Sequence, residues 1–203
     1  MNGEETKTTL RRKADGVKSF RCKNLIVVLE NPRDWRNIGT VIRNVNALGA
    51  EKVDVVDSAG KLPEDWQGMR SDKKLLDISA SAVKWSFVKR FETSKACTEH
   101  LEKNGFKSIV TSPHVKGKHN GTLDAEDFTK HKKLAVWFGN ERTGVSNLAI
   151  AHAEMCVSIP MYGIVESLNL GTSTGIVLYE VTKQRRAFQE AKRAKSEKMN
   201  RTL

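Results

Sequence analysis

The sequence predicts an α/β fold: a mainly parallel sheet with helices on both faces. Three observations carry this. Short apolar, β-branched runs recur along the chain, at Leu25–Leu29, Val53–Val56, Lys107–Thr111 and Leu134–Phe138. Segments with apolar residues at helical spacing lie between several of them. Polar, glycine-containing loops follow the runs directly. Strands alternating with helices imply parallel pairing, because a parallel pair needs a crossover.

Residues 1–23 are polar and basic, reading as a frayed arm or as a short helix around Leu10–Ala14. Leu25–Leu29 reads as a buried strand. The Ile38, Val41, Ile42, Val45 and Leu48 series then makes one face of a helix, and Gly49 closes it. Val53–Val56 is the second strand, residues 57–79 are irregular, and Phe87–Phe91 is a further strand. Residues 93–104 form a helix that ends at Asn104-Gly105. Strands at 107–111, 134–138 and 155–159 follow, and the pattern is helical from about Glu166 to Arg193. In an open sheet of this kind ligands sit beyond the carboxyl ends of the strands. The loops Glu30–Gly39, Thr111–Gly117, Gly139–Gly144 and Pro160–Asn169 are therefore the expected site.

The net charge of +11 is unevenly placed. Residues 1–23 hold seven Lys/Arg against three Asp/Glu, and residues 181–203 hold eight against two. Residues 24–180 are nearly balanced, with 20 basic and 19 acidic residues. This divides the chain into a basic N-terminal extension (1–23), a core (24–180) and a basic C-terminal extension (181–203). The ends read either as solvated faces or as polyanion-binding arms. No apolar run reaches the roughly 20 residues of a membrane helix, and residues 1–23 contain no signal-peptide stretch. Cys22, Cys97 and Cys156 make no CxxC pair, which favours a reducing, cytoplasmic setting. His114 and His119 lack ligand-type neighbours, so no metal is expected.

Three motifs follow strands. The first is Asn37-Ile38-Gly39-Thr40-Val41-Ile42-Arg43, with Asn37 placed as a helix N-cap and Arg43 beside the apolar stripe. The second is Gly139-Asn140-Glu141-Arg142-Thr143-Gly144, a tight loop without the Lys-Ser/Thr ending of a P-loop. The third runs Ile159-Pro160-Met161 to Ser167-Leu168-Asn169, with Ser167 as the expected cap of the last helix. Each alone reads equally as a capped helix start or a polar turn.

Together and in this order, over roughly residues 24–187, they resemble the SpoU/TrmH family of RNA ribose methyltransferases, part of the SPOUT class. The match lies in Asn37, Gly39 and Arg43, in Gly139, Glu141 and Gly144, and in Ile159–Met161 with Ser167–Asn169. Two departures are visible: Arg36 stands where relatives often have histidine, and Leu170–Gly175 is polar and glycine-rich where they have small β-branched residues.

The resemblance implies a C-terminal deep trefoil knot, a homodimer with each site completed by its partner, and S-adenosylmethionine as cofactor. By position it assigns the cofactor to Thr111, Gly139, Ile159, Met161 and Leu168. Arg43 takes the central catalytic role, supported by Asn37, Glu141, Ser167 and Asn169. Because arginine stays protonated, Arg43 is expected to bind phosphate and orient the ribose hydroxyl. Asn37 would hold Arg43 or the phosphate, Glu141 would pair with Arg43 or shape the cofactor loop, and Ser167 and Asn169 would bond the substrate or fix Arg43. No RNA-binding module precedes residue 24, so the resemblance points to tRNA, at a D-loop guanosine. Arg11, Arg12 and Lys13, with Lys183, Arg185 and Arg186, are the expected RNA contacts. Ribosomal RNA as target and a non-catalytic RNA-binding protein are the alternatives.

Overall fold

The computed structural model describes residues 9–201. The elements, in order, are α1 (Thr9–Val17), β1 (Cys22–Glu30), α2 (Trp35–Ala47), β2 (Ala50–Val56), α3 (Trp66–Ser71), α4 (Lys73–Ile78), β3 (Phe87–Phe91), α5 (Ser94–Lys103), β4 (Lys107–Thr111), β5 (Asn120–Thr122), β6 (Leu134–Phe138), α6 (Asn147–His152), β7 (Met155–Ser158) and α7 (Leu170–Arg201). The strands form one sheet ordered β3-β2-β1-β6-β4-β7-β5, and every neighbouring pair is parallel. All carboxyl ends therefore lie along one edge.

Alternation of side chains along β1 splits the core into two layers. Leu25, Val27 and Leu29 face one side, packed with Ile38, Val41, Ile42 and Val45 of α2, Leu75 of α4 and Leu178 of α7. Ile26 and Val28 face the other, packed with Cys97 and Leu101 of α5 and Ala149 of α6. Burying both faces explains why β1 reads as a continuous apolar run rather than an alternating one.

The helix boundaries rest on caps. Asp34, not Asn37, caps α2: its side chain accepts from Arg36 N. Asn37 sits inside the first turn. The expected closure holds, with Leu48 as C-cap and Gly49 at φ +81°. Residues expected to be irregular contain α3 and α4, each one and a half turns long and each started by an aspartate cap, Asp65 and Asp72. Helices this short show too little periodicity to be read.

The last helix begins at Leu170, and its cap is Asn169 rather than Ser167: Asn169 Oδ1 accepts from Gly171 N (2.8 Å) and Thr172 N (3.4 Å). It then runs without interruption past the expected boundary at residue 180, with Val181, Thr182 and Arg185 buried. The polar, glycine-rich start of α7 has a packing reason. A Cβ on Gly171 would lie 2.6 Å from Thr40 Cγ2, and Asn44 Nδ2 donates to Gly171 O at 2.7 Å. A bulkier residue at 171 would push α7 off α2.

Arg185 corrects an expectation. It is 6% exposed, and its guanidinium donates to Phe128 O (2.9 Å), His131 O (2.9 Å) and Lys132 O (2.6 Å). It clasps the loop before β6 and is closed to RNA. Arg186 Nη1 donates to Leu48 O at 3.0 Å, closing the C-terminus of α2.

Asp54 on β2 is 4% exposed, and its Oδ2 has no partner among the described residues. Burial pushes its carboxyl up to about 7, against the lowering influence of Lys89 and Lys52. A raised carboxyl favours the protonated fold, so stability declines as pH rises from 3.8 towards about 7 and is flat above it. Asp54→Asn is expected to remove that decline. Urea midpoints at pH 5 and pH 8 should differ in the parent and converge in the variant; an equal pH 5 to pH 8 drop in both would refute it.

Candidate functional site

Three loops and the start of α7 enclose a cavity of about 540 Å³ at the carboxyl edge of the sheet. Thr111 closes β4, Gly139 follows β6, and Ile159 and Met161 follow β7, with Leu168 before α7. All five expected cofactor residues line the cavity, as do Glu141, Ser167 and Asn169.

The wall after β6 is a built turn. Asn140 and Gly144 pair through their backbones at 3.1 and 2.8 Å, and Gly144 takes φ +69°. A side chain on Gly139 would collide with the backbone of Gly144 and Val145. The turn is anchored by a residue the sequence reading left unassigned. Asn140 Oδ1 accepts from Arg142 N (2.9 Å) and Thr143 N (3.3 Å), while its Nδ2 donates to Asn31 O (2.6 Å). A second such residue is Glu30, 3% exposed at the end of β1. Its carboxylate accepts from Ser146 N (2.7 Å), Ser146 Oγ (2.6 Å) and Ser94 Oγ. Ser146 is the N-cap of α6, so Glu30 pins the far end of the same loop. An acid ending an otherwise apolar strand was the available signal.

The motif residues form a directional chain. Asn169 Nδ2 donates to Asn37 Oδ1 (3.1 Å), Asn37 Nδ2 donates to Glu141 Oε1 (2.7 Å), and Arg33 N donates to Glu141 Oε2 (3.0 Å). Burial pushes the Glu141 carboxyl up, but the Arg33 N–H and Asn37 amide outweigh it and hold it below 4.5. The chain thus joins all three motifs, and stays ionised at neutral pH; the stability it lends is lost only as pH falls below that value.

Glu141 and Asn37 do not hold Arg43. Arg43 is exposed on α2, bonded to none of the described residues and outside the cavity lining. Ser167 is exposed at the cavity mouth. Thr111 Oγ1 is committed to Trp137 O at 2.8 Å, so its contribution to the cavity is its backbone and methyl. Arg11, Arg12 and Lys13 are exposed on α1, and Lys183 is exposed beside Glu180 (3.0 Å). Among the described residues, no three His, Cys, Asp or Glu are grouped to hold a metal ion.

The family model of the SpoU rRNA methylases matches residues 24–179, which contain every element of this cavity. The chain belongs to the SpoU family. The tRNA (guanosine(18)-2′-O)-methyltransferase of Thermus thermophilus is 29% identical over 178 residues, covering 86% of this chain and 82% of that protein. The solved A. aeolicus TrmH/SpoU tRNA-modifying enzyme is similar with a TM-score of 0.72 and 26% identity, over 90% of this chain and 87% of that one. The SpoU methyltransferase AviRb of Streptomyces viridochromogenes, solved with AdoMet, gives a TM-score of 0.68 at 25% identity, over 81% of this chain and 62% of that one.

Within this SpoU chain, the Asn169–Asn37–Glu141 relay can be tested directly. In Glu141→Gln an amide nitrogen must face either Arg33 N–H or the Asn37 amide, so one hydrogen bond is lost to a donor–donor clash. We expect methyl transfer to fall about 10–100-fold, the range for misplacing a site by an ångström or for losing one supporting partner. Steady-state rates checked against an unchanged circular-dichroism spectrum decide it; parent-like kcat/KM would remove the relay from the site.

Proposed function

We propose that this chain methylates the ribose 2′-hydroxyl of a D-loop guanosine in tRNA, using S-adenosylmethionine. The observation that carries the reading is the cavity itself, built from the three motif loops at the carboxyl edge of a parallel sheet. Its size suits a nucleoside-sized ligand. Its walls offer what an adenosine and a thioether require: apolar side chains from Ile159 and Leu168, and main-chain groups in a turn that Gly139 lets close tightly on itself. When bound, S-adenosylmethionine supplies a methyl group made electrophilic by its sulfonium.

The chain's own part is to place and activate the hydroxyl. A ribose hydroxyl is a poor nucleophile and must lose its proton near the transition state. Arg43, exposed and uncommitted, presents a planar fork suited to the neighbouring phosphate. The Asn169–Asn37–Glu141 relay ties the start of α2 to the cavity wall, which sets where Arg43 stands. Ser167, at the mouth, is placed to hydrogen-bond the substrate.

Arg43 does not line the cavity of its own chain, which supports a homodimer in which each cavity is completed by the second copy. Ile176 and Tyr179 on α7, and Ile164 and Val165 in the preceding loop, are exposed apolar side chains suited to that contact. The topology, with β6 returning between β1 and β4 and α7 crossing back onto α2, supports the deep trefoil knot as the finer fold. RNA is gripped by Arg11, Arg12 and Lys13 of α1 and by Lys183, with the exposed Lys192, Arg193 and Lys195 of α7 in place of Arg185. The free Cys22, Cys97 and Cys156 support a reducing, cytoplasmic setting.

The deciding experiment is transfer of labelled methyl to total tRNA and, separately, to ribosomal RNA, with nucleotides identified by mass spectrometry. Label in 2′-O-methylguanosine of tRNA is the expected result. Label only in ribosomal RNA would replace the substrate. No label, with no cofactor binding, would leave an RNA-binding protein.

A further inference from the structure

Beside the cavity, and sharing Glu141 with it, lies a second, open groove of about 610 Å³ between the start of α2 and α4. Arg33, Trp35, Arg36, Asn37 and Lys74 line it. We propose that this groove is a subsite for the RNA strand next to the methylated nucleotide, with Lys74 and Arg33 holding a flanking phosphodiester. The proposal rests on the reading of the chain as an RNA methyltransferase and adds the path of the substrate strand.

The argument is about which charges are already spent. Asp34 is bound by Arg36, whose Nη2 lies 2.8 Å from Asp34 Oδ2 and whose Nε lies 3.0 Å from it. Glu141 has both carboxylate oxygens occupied, by Asn37 and by Arg33 N. The two acids are therefore accounted for. Lys74 and the Arg33 guanidinium are exposed and make no hydrogen bond or ion pair among the described residues. Two cations with no hydrogen-bonded or ion-paired acid, Lys74 acting on Asp34 only through its longer-range field, over a groove whose acids are bonded elsewhere, suit a diffuse anion such as a phosphodiester.

Lys74 is also positioned rather than loose. Its Nζ lies 4.1 Å from the centre of the half-buried Trp35 ring. A cation held on a ring face keeps the N–H groups turned away from the ring free for an anion. α4 is itself fixed against α2, because a Cβ on Gly39 would lie 2.6 Å from Ile78 O. Trp35 thus acts as a positioning residue for Lys74. Glu141 stands at the boundary of cavity and groove, so a strand with its reacting ribose at the cavity mouth has its next phosphate within the groove.

The test uses the full chain and two readouts: steady-state methylation of tRNA, and binding of labelled tRNA and of a single-stranded oligoribonucleotide across a salt series. Lys74→Ala and Arg33→Ala are each expected to raise KM for tRNA about 5–10-fold with S-adenosylmethionine affinity unchanged. Each should also flatten the log Kd against log salt slope for the oligonucleotide by about 0.7, one phosphate contact on a single strand. Trp35→Leu should shift both readouts as Lys74→Ala does, and Trp35→Phe should restore them; unfolding midpoints check that each variant folds. Lys95→Ala, on α5 across the sheet, makes the same charge change and serves as the control. If the parent methylates RNA while Lys74→Ala and Arg33→Ala match Lys95→Ala in KM and slope, the groove proposal is overturned and the methyltransferase reading stands. If the parent methylates nothing but its RNA binding loses slope in these variants, the groove stands and the enzymatic reading falls. A parent that neither methylates nor binds RNA overturns both.

Discussion

Replacing Arg43 by alanine is expected to lower kcat for tRNA methylation about 10²–10³-fold, the cost of removing one preorganised charge-stabilising donor. The fold should not notice. Arg43 is exposed on α2 with no bonded partner among the described residues, and surface substitutions of that kind usually stay within about 0.5 kcal/mol. The unfolding midpoint should therefore match that of the parent. The separation of a lost rate from an unchanged stability is what marks a residue held for chemistry. Arg43→Lys sharpens the test. A lysine keeps the charge but presents a point rather than a planar fork, so it should recover only a small part of the rate. Full turnover in Arg43→Lys would argue against a bidentate role, and full turnover in Arg43→Ala would move the catalytic role to another residue.

Arg185→Ala is expected to do the reverse. Its guanidinium satisfies three carbonyls, of Phe128, His131 and Lys132, and it is buried. Charge-assisted hydrogen bonds of this kind contribute about 1.5–3 kcal/mol each and are not additive, and the carbonyls left behind are partly desolvated. A loss of roughly 3–5 kcal/mol follows, lowering the melting temperature by on the order of 10 °C in a chain of this size. RNA affinity per folded molecule should be unchanged. Arg185→Lys should recover only part of the stability, because one ammonium cannot span three carbonyls in the geometry of the fork. A variant as stable as the parent but weaker in RNA binding would restore Arg185 to the RNA surface, where its place in a basic run had put it.

These two arginines show how far residue type alone can be read. In the sequence Arg43 stands beside an apolar stripe and Arg185 in a basic run, yet the first is exposed and the second buried. The helical period did carry a warning for Arg185: it lies four residues after Val181 and seven after Leu178, both fully buried, and so on the inward stripe of α7. The basic residues around it in the sequence mask that signal. For Asn37 and Ser167 the expected capping role falls instead to their neighbours Asp34 and Asn169. Any Asn, Ser or Asp near a helix start is chemically able to cap, and the choice between Asp34 and Asn37, or between Asn169 and Ser167, depends on where the backbone turns.

What the sequence by itself determined is local. The central strands, the apolar face of α2 and its stop at Gly49 follow from patterns within a dozen residues, because strand and helix periods are properties of short segments. So do the loops that begin at Thr111, Gly139 and Ile159, and these three residues border the cavity. Only the tertiary structure decided the partners. The pairing of β1 with β6, the relay from Asn169 through Asn37 to Glu141, the anchoring of the Gly139 loop by Glu30 and Asn31, and the burial of Arg185 each join residues more than 50 positions apart. A hydrogen bond between distant residues leaves no periodic trace in a single sequence. It is set by the packing of α2 and α7 on the sheet, which brings those side chains to one edge.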